Sequence, residues 1–271
     1  MLASVHFISG LPRSGSTLLA AILRQNPRFH AGITGPVGPL VEAMLRNMSM
    51  GNETSIFISD AQREALLRAV FDTFYAHAPA GDVVFDTNRL WCTKLPLIAA
   101  LFPHARVICC VRDMPWVFDS IERLVRSNQF QPSGIFNFEP GGTVYSRIEG
   151  LAAPVGMVGY AWCALREAFY GEQSERLLLL TYETITANPR RALDAVYDFI
   201  GETPFSHDFD NIEFDVTEFD RRLGTPGLHA VARRVHPNER GFVIPPDLVR
   251  KYENDSFWRD PARNPKRVRV V

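Results

Sequence analysis

The sequence of 271 residues lacks a strong charge of either sign and a long uninterrupted apolar run. Its formal net charge of −1 gives no overall field that would hold the chain on nucleic acid or on an anionic membrane. No stretch of about 18 residues is uninterruptedly apolar, and the apolar run at 5–8 begins without a basic leader before it. These absences predict a cytoplasmic protein with no membrane span and no nucleic-acid partner.

Cysteine is also scarce, with four positions: Cys92, Cys109, Cys110 and Cys163. No pair has the C-x-x-C spacing of a redox or zinc site, and no histidine stands at a zinc-finger interval. Cys109 and Cys110 fall inside an apolar run at 106–111 that is typical of a strand, so their side chains should point to opposite faces. We therefore predict small core residues and no metal site.

Short apolar runs alternate with segments of helical periodicity along most of the chain. The runs that predict strands are 5–9, 83–86, 106–111 and 176–181. Helices between strands favour a mainly parallel central sheet with helices on both faces. We predict a single α/β domain over 1–271, with its core at 5–202.

Two segments depart from this alternation. Residues 128–156 contain glycine, proline and aromatic residues with little periodicity, which is typical of an inserted binding loop or lid. The aromatic side chains that could line a ligand pocket there are Phe130, Phe136, Phe138 and Tyr145, with Arg147 nearby. Residues 203–271 are mostly irregular and end in a basic tail.

The most specific motif is the glycine-containing loop at 10–17, which has the form G-x-x-x-x-G-x-T between a predicted strand and a predicted helix. Backbone N–H groups of such a loop point inward and bind phosphate, helped by the helix N-terminus. Gly15 allows the tight turn, and Ser14, Ser16 and Thr17 add hydroxyl groups. Ser16 stands where a triphosphate-binding loop has lysine, and Arg13 supplies the positive charge instead.

Two further features stand at the ends of later strands. Arg112 ends the third predicted strand, and Ser120 follows eight residues on along the next helix, so both could reach one more phosphate. Tyr182 ends the fourth predicted strand and could stack on a base or hydrogen-bond to it.

These three features, in this order, resemble the sulfotransferases that use 3′-phosphoadenosine-5′-phosphosulfate (PAPS). The branch is that of the carbohydrate and tyrosyl-protein enzymes and their bacterial relatives. The resemblance rests on residues 12–19, 101–113 with Ser120, 182–185 and 188–191. It implies a P-loop-like α/β fold and transfer of a sulfuryl group from PAPS to an acceptor hydroxyl without a metal, with release of the desulfonated nucleotide PAP.

The same resemblance implies roles for individual residues. Residues 13–17, which are Arg13, Ser14, Gly15, Ser16 and Thr17, would hold the 5′-phosphosulfate. Arg112 and Ser120 would hold the 3′-phosphate, and Tyr182 would lie beside the adenine. A later basic segment within 203–271 would close the site, and its candidates are His229, Arg233, Arg234 and Arg240.

The sequence departs from the family pattern in two places. Many relatives carry a glutamate base after the first helix, but residues 34–38 contain no carboxylate here. Many also carry an Asp-Lys pair after the second strand, where this chain has Asp86 followed by Thr87. We predict Asp86 as the catalytic base, with Glu42 second and a residue of the 128–156 insertion third.

Two other functions remain compatible with the sequence. A small-molecule kinase would share the phosphate-binding loop and the α/β layout, although Ser16 replaces the expected lysine. A non-catalytic PAP-binding protein would keep the loop and lack the base. The acceptor hydroxyl could belong to a small molecule, a glycan or a peptide, and neither the acceptor nor the oligomeric state can be read from the sequence.

Overall fold

The computed structural model describes residues 4–130, 134–137, 139, 141–237 and 240–271. Its strands are β1 (Ser4–Gly10), β2 (Phe29–Ala31), β3 (Val83–Thr87), β4 (Val107–Val111), β5 (Leu177–Thr181) and β6 (Arg269–Val270). They form one parallel sheet in the order β2-β3-β1-β4-β5-β6. The predicted α/β fold class is confirmed.

Helices cover both faces of this sheet. They are α1 (Ser16–Leu23), α2 (Val37–Asn47), α3 (Asp60–Phe74), α4 (Leu95–Leu101), α5 (Met114–Ser127), α6 (Val144–Ala152), α7 (Met157–Tyr170), α8 (Tyr182–Ala187), α9 (Pro189–Ile200), α10 (Thr217–Arg222) and α11 (Pro246–Tyr252). Phe7 on β1 packs into the core beneath α3, α4, α5 and α7, whereas its neighbour Ile8 packs against α1 and α9. Because the side chains of each central strand are buried on both faces of the sheet, its sequence is an almost continuous apolar run.

Two strands lie outside the sequence prediction. β2 has only three residues, and β6 falls in the basic tail at 263–269. Val271 extends the pairing of β6, since its N–H donates to the Leu179 carbonyl and its own carbonyl accepts from Thr181. Backbone hydrogen bonds rather than an apolar pattern define these edge strands, so their sequences carry little signal.

The predicted insertion at 128–156 is more ordered than its composition indicates. It contains a 3₁₀ turn at Gly134–Phe136 and all of α6, and Phe136 is buried in the core. Phe130 is exposed, whereas Phe138 lies outside the described residues. The described residues of the segment reach the core through Phe136 and through Ile148 and Leu151 of α6.

One stretch of the described residues, Val144–Tyr170, is long and apolar enough to cross a membrane. In the fold this stretch is interrupted between α6 and α7, and Val158, Leu165 and Phe169 of α7 are buried in the core. Burial against the sheet explains its apolar composition. The cytoplasmic location stays a prediction.

Candidate active site

A cavity of about 520 Å³ opens at the carboxyl ends of β1, β3, β4 and β5. Ligands of open parallel sheets bind at this edge. Among the described residues that line it are five arginines, two histidines and no aspartate or glutamate; the arginines are Arg13, Arg89, Arg112, Arg234 and Arg240. Such a lining suits a ligand with several negative charges.

The floor of the cavity is the loop between β1 and α1. Arg13 and Gly15 adopt positive φ angles of 58° and 95°. A β-carbon on Gly15 would lie 3.2 Å from the Tyr182 ring and 3.3 Å from Ile185. No side chain caps the N-terminus of α1, so its first backbone N–H groups remain available to an anion.

The hydroxyl groups of this loop face different ways. Ser16 and Thr17 line the cavity. The Ser14 side chain is fully buried, and its hydroxyl donates to the Pro12 carbonyl at 3.3 Å. The expected hydroxyl contact from Ser14 therefore does not fit the structure, because that group is turned away from the cavity.

Arg13 crosses the cavity to reach two other elements. Its Nε donates to the Ser120 hydroxyl on α5 at 3.1 Å, and a terminal N–H donates to the Leu228 carbonyl. Burial, followed by the nearby charge of Arg112, lowers the pKa of Arg13 to about 10. Arg13 remains a cation at neutral pH and joins the phosphate-binding loop to both flanking segments.

Arg112 leaves β4 and stacks on Tyr182, with its guanidinium carbon 4.0 Å from the ring centroid. The Arg112 side chain is buried, and its Nε has no hydrogen-bond partner among the described residues. A buried donor left unpaired costs about 1–3 kcal/mol, so this position favours an anionic ligand. One face of Tyr182 is already occupied by this stacking.

The structure separates the four late basic candidates. Arg240 lines the cavity 3.3 Å from the buried Asp119 carboxylate, and its Nε also has no partner within the described ranges. Arg234 lies at the rim, exposed and paired with Asp210. Arg233 is exposed, bonds Asn211 and does not line the cavity, so the expected contact from Arg233 does not fit the structure.

The fourth candidate, His229, lines the cavity as half of a buried pair with Asp220. Its Nδ1 lies 2.6 Å from one Asp220 oxygen, and its backbone N–H donates to the other oxygen at 2.7 Å. Asp220 on α10 is buried. The carboxylate fixes Nδ1 as the proton donor, which leaves Nε2 as the nitrogen able to accept a proton.

The profile of the sulfotransferase family matches residues 6–207 of the sequence. The chain belongs to the sulfotransferase family. The resemblance that the motifs indicated is thus confirmed.

Curated relatives of this sulfotransferase include protein-tyrosine sulfotransferase 1 of Danio rerio, 27% identical over 113 residues, which are 40% of this chain and 32% of the relative. The Homo sapiens protein of the same name is 26% identical over 113 residues, with 40% and 30% covered. The match thus spans about a third of these relatives' length. The solved structure of the sulfotransferase domain from the curacin biosynthetic pathway is similar to this chain, with a TM-score of 0.51 at 16% sequence identity. The match covers 98% of this chain and 90% of that one and supports the fold.

Asp86 of this sulfotransferase does not occupy the position of a base. It is fully buried and does not line the cavity. The Tyr75 hydroxyl donates to one carboxylate oxygen at 2.6 Å, and the Trp91 indole N–H donates to the other at 2.7 Å. Burial raises the pKa of Asp86, and the two hydrogen bonds oppose that rise. The structure does not favour Asp86 as the base, because the Tyr75 and Trp91 donors in the core hold both its oxygens and it does not line the cavity.

The second predicted base, Glu42, is exposed on α2 and also does not line the cavity. Two residues that the sequence reasoning did not select do matter to the site. Asp220 lies on the short helix α10 with no recognisable motif around it, and Arg89 lines the cavity two residues after the end of β3. The only sequence signal for Arg89 is its place at a strand end.

We expect Asp86→Asn to destabilise the protein by about 1–3 kcal/mol, because an amide nitrogen would face one of the two buried donors. Glu42→Gln, at an exposed position, should change the free energy of unfolding by no more than about 0.5 kcal/mol. Urea unfolding measures both. A stable Asp86→Asn protein that binds nucleotide but has lost all turnover would restore Asp86 as the base.

Proposed function

We propose that this sulfotransferase transfers a sulfuryl group from PAPS to an acceptor hydroxyl and releases PAP. The observation that carries the proposal is the unpaired Nε of buried Arg112 in a cavity lined by arginines and free of carboxylates among the described residues. The donor carries a 3′-phosphate, a 5′-phosphate and a sulfate, and each can accept the hydrogen bonds that these cations leave unmade.

The described residues fit the donor in two places. The loop at 13–17 and the N-terminus of α1 would bind the 5′-phosphosulfate through backbone N–H groups and the Ser16 and Thr17 hydroxyls. Arg112, Ser120 and Arg240 would bind the 3′-phosphate, and the two orphaned Nε atoms would then be satisfied. The adenine would lie toward Tyr182 and its neighbours on the cavity wall.

The donor supplies the transferable group: the acceptor oxygen forms a bond to sulfur while the bond from sulfur to the 5′-phosphate oxygen breaks. Arg13 and the loop N–H groups would stabilise the negative charge that develops on that leaving oxygen. We assign His229 as the base that takes the hydroxyl proton on Nε2, with Asp220 stabilising the imidazolium that results. Arg13 bonds the carbonyl of Leu228, which places His229 next to the loop.

Nucleotide binding tests this function against the kinase alternative. By calorimetry, PAP should bind at least about 100-fold more tightly than ATP, with or without Mg²⁺, because Ser16 offers no ammonium group to a triphosphate. Preferential binding of ATP with Mg²⁺ would favour the kinase. Tight PAP binding, with no PAPS consumed in the presence of any hydroxyl compound, would favour the non-catalytic alternative.

Arg112→Ala makes the test specific to the site. Truncating a buried cation that faces an anion costs about 2–5 kcal/mol, so we expect PAP affinity to fall by about 100-fold. Arg233→Ala is the matched control, because that arginine is exposed, bonds Asn211 and does not line the cavity. Its PAP affinity should stay within about threefold of the parent.

A further inference from the structure

Arg89 is held at the root of the phosphate-binding loop. It is the first residue of the turn Arg89–Lys94, two residues after the end of β3. Its carbonyl accepts from the Ser9 hydroxyl at 3.1 Å, and the Asn88 N–H donates to the Ile8 carbonyl at 3.0 Å. These bonds fix the backbone of Arg89 against the end of β1, and its side chain lines the cavity.

The guanidinium of Arg89 differs from the other four that line the cavity. Arg13 and Arg112 bond or stack on neighbours, and Arg234 and Arg240 face aspartates. Within the part of the chain that the structure describes, no hydrogen bond or ion pair involves the Arg89 guanidinium. Arg89 is exposed to solvent, so its guanidinium is accessible to a ligand that enters the cavity.

Arg89 is also separate from the cations assigned to the donor. Arg112 and Arg240 lie close enough to Arg13 for their charges to lower its pKa. The strand order explains the separation, because β3 lies on one side of β1, and β4 and β5, which end at Arg112 and Tyr182, lie on the other.

The cavity wall on the Arg89 side combines apolar side chains with the polar Thr34, Thr87 and Asn88. Residues lining the cavity on the β2 and β3 side include Ile33 and Thr34, and Met157 begins α7, which packs against the Arg89–Lys94 turn. The buried ring of Phe136 also lines the cavity. With the nucleotide on the β4 and β5 side, this side remains for the acceptor. It offers apolar side chains beside a cation, Arg89, that has no partner among the described residues.

We propose that the acceptor is a small hydroxy acid, whose carboxylate binds the Arg89 guanidinium and whose apolar body lies against Phe136 and Met157. This proposal rests on the proposed function. The hydroxyl proton passes to His229, the acceptor oxygen gains the sulfuryl group, and PAP leaves. The carboxylate is unchanged by the reaction and serves to orient the hydroxyl. A planar guanidinium suits this role because it binds a carboxylate through two parallel hydrogen bonds.

Two pairs of acceptors, matched in shape and different in charge, test the proposal. The first is para-hydroxyphenylacetate and para-hydroxyphenylacetamide, and the second is a terminal hydroxyoctanoate and its amide. Binding to the PAP-saturated protein is measured by calorimetry, and sulfation by PAPS consumption. In at least one pair the acid should be favoured over the amide by about 30-fold, which corresponds to about 2 kcal/mol for a charged hydrogen bond.

Variants of Arg89 give the decisive comparison. Arg89→Gln should reduce the preference for the acid to within about threefold and leave PAP affinity unchanged, and Arg89→Lys should keep part of the preference. Arg233→Gln, at an exposed position outside the cavity, should keep all of it.

Equal binding of acid and amide to the parent protein would overturn the proposal, and so would a failure of the parent protein to bind any of the four compounds. A third contrary result is a weaker affinity of Arg89→Gln for PAPS with an unchanged affinity for PAP. That result would place Arg89 on the donor's sulfuryl group. Failure of the parent protein to bind PAP would instead overturn the proposed function, so the two failures are distinguishable.

Discussion

Replacing His229 with glutamine is expected to lower kcat by about 10²- to 10⁴-fold and to leave PAP affinity unchanged. A positioned general base contributes a factor of this size, and glutamine can still hydrogen-bond Asp220 but cannot take up a proton. The cavity offers no carboxylate among its described residues to replace the imidazole. The loss should therefore appear in kcat rather than in the KM for PAPS.

Acceptor acidity separates a base from a merely structural residue. A nitrophenol, which ionises readily by itself, should lose much less rate in the variant than an aliphatic alcohol.

Asp220→Asn is the companion variant for this pair. This variant retains His229, but its kcat should be lower than that of the parent, because the amide no longer stabilises the imidazolium. If His229→Gln folds, binds PAP and sulfates an aliphatic alcohol at close to the parental rate, His229 is not the base.

Gly10→Ala is expected to destabilise the protein by about 3–5 kcal/mol, which is a large share of the stability of a domain. Gly10 has a φ angle of 101°, and a β-carbon there would lie 2.2 Å from the Cys110 carbonyl oxygen. That oxygen also accepts the Leu11 N–H at 2.9 Å. Because both groups are backbone, neither can move without separating β1 from β4, and the phosphate-binding loop would shift away from Arg112.

Gly81→Ala is the matched control for this substitution. Gly81 has a nearly equal φ angle of 95°, but a β-carbon there would meet nothing within 4 Å. The Gly81→Ala variant should lose only about 1–2 kcal/mol of stability, from the strain of a left-handed backbone at alanine. Urea unfolding gives both values, and equal destabilisation by the two substitutions would show that the contact with Cys110 is unimportant.

Much of the proposed donor site could be predicted from the sequence because it is local. The loop at 10–17 joins a strand directly to a helix, so contiguous residues form the proposed anion site. Arg112 and Tyr182 each follow a buried strand, and parallel strands bring their carboxyl ends to one edge of the sheet. The apolar runs therefore predicted both the fold and the position of these two side chains.

The proposed base, His229, could not be predicted in this way. Asp86 also stands near a strand end, yet Tyr75 and Trp91 turn its carboxylate into the core. His229 lies in an irregular segment, and Asp220, nine residues before it, gives it a defined orientation. Whether a polar side chain meets the core or the cavity depends on contacts that no local pattern records.

The sequence by itself determined the family, the parallel sheet and the phosphate-binding loop, because each follows from apolar periodicity or from a contiguous motif. Only the tertiary structure decided which charged groups face the ligand. It placed Arg240 rather than Arg233 in the cavity, buried Asp86, and left Arg89 without a partner among the described residues. The physical reason is that burial and pairing of a charge depend on residues far away in the chain, which come together only when the sheet and its covering segments are assembled.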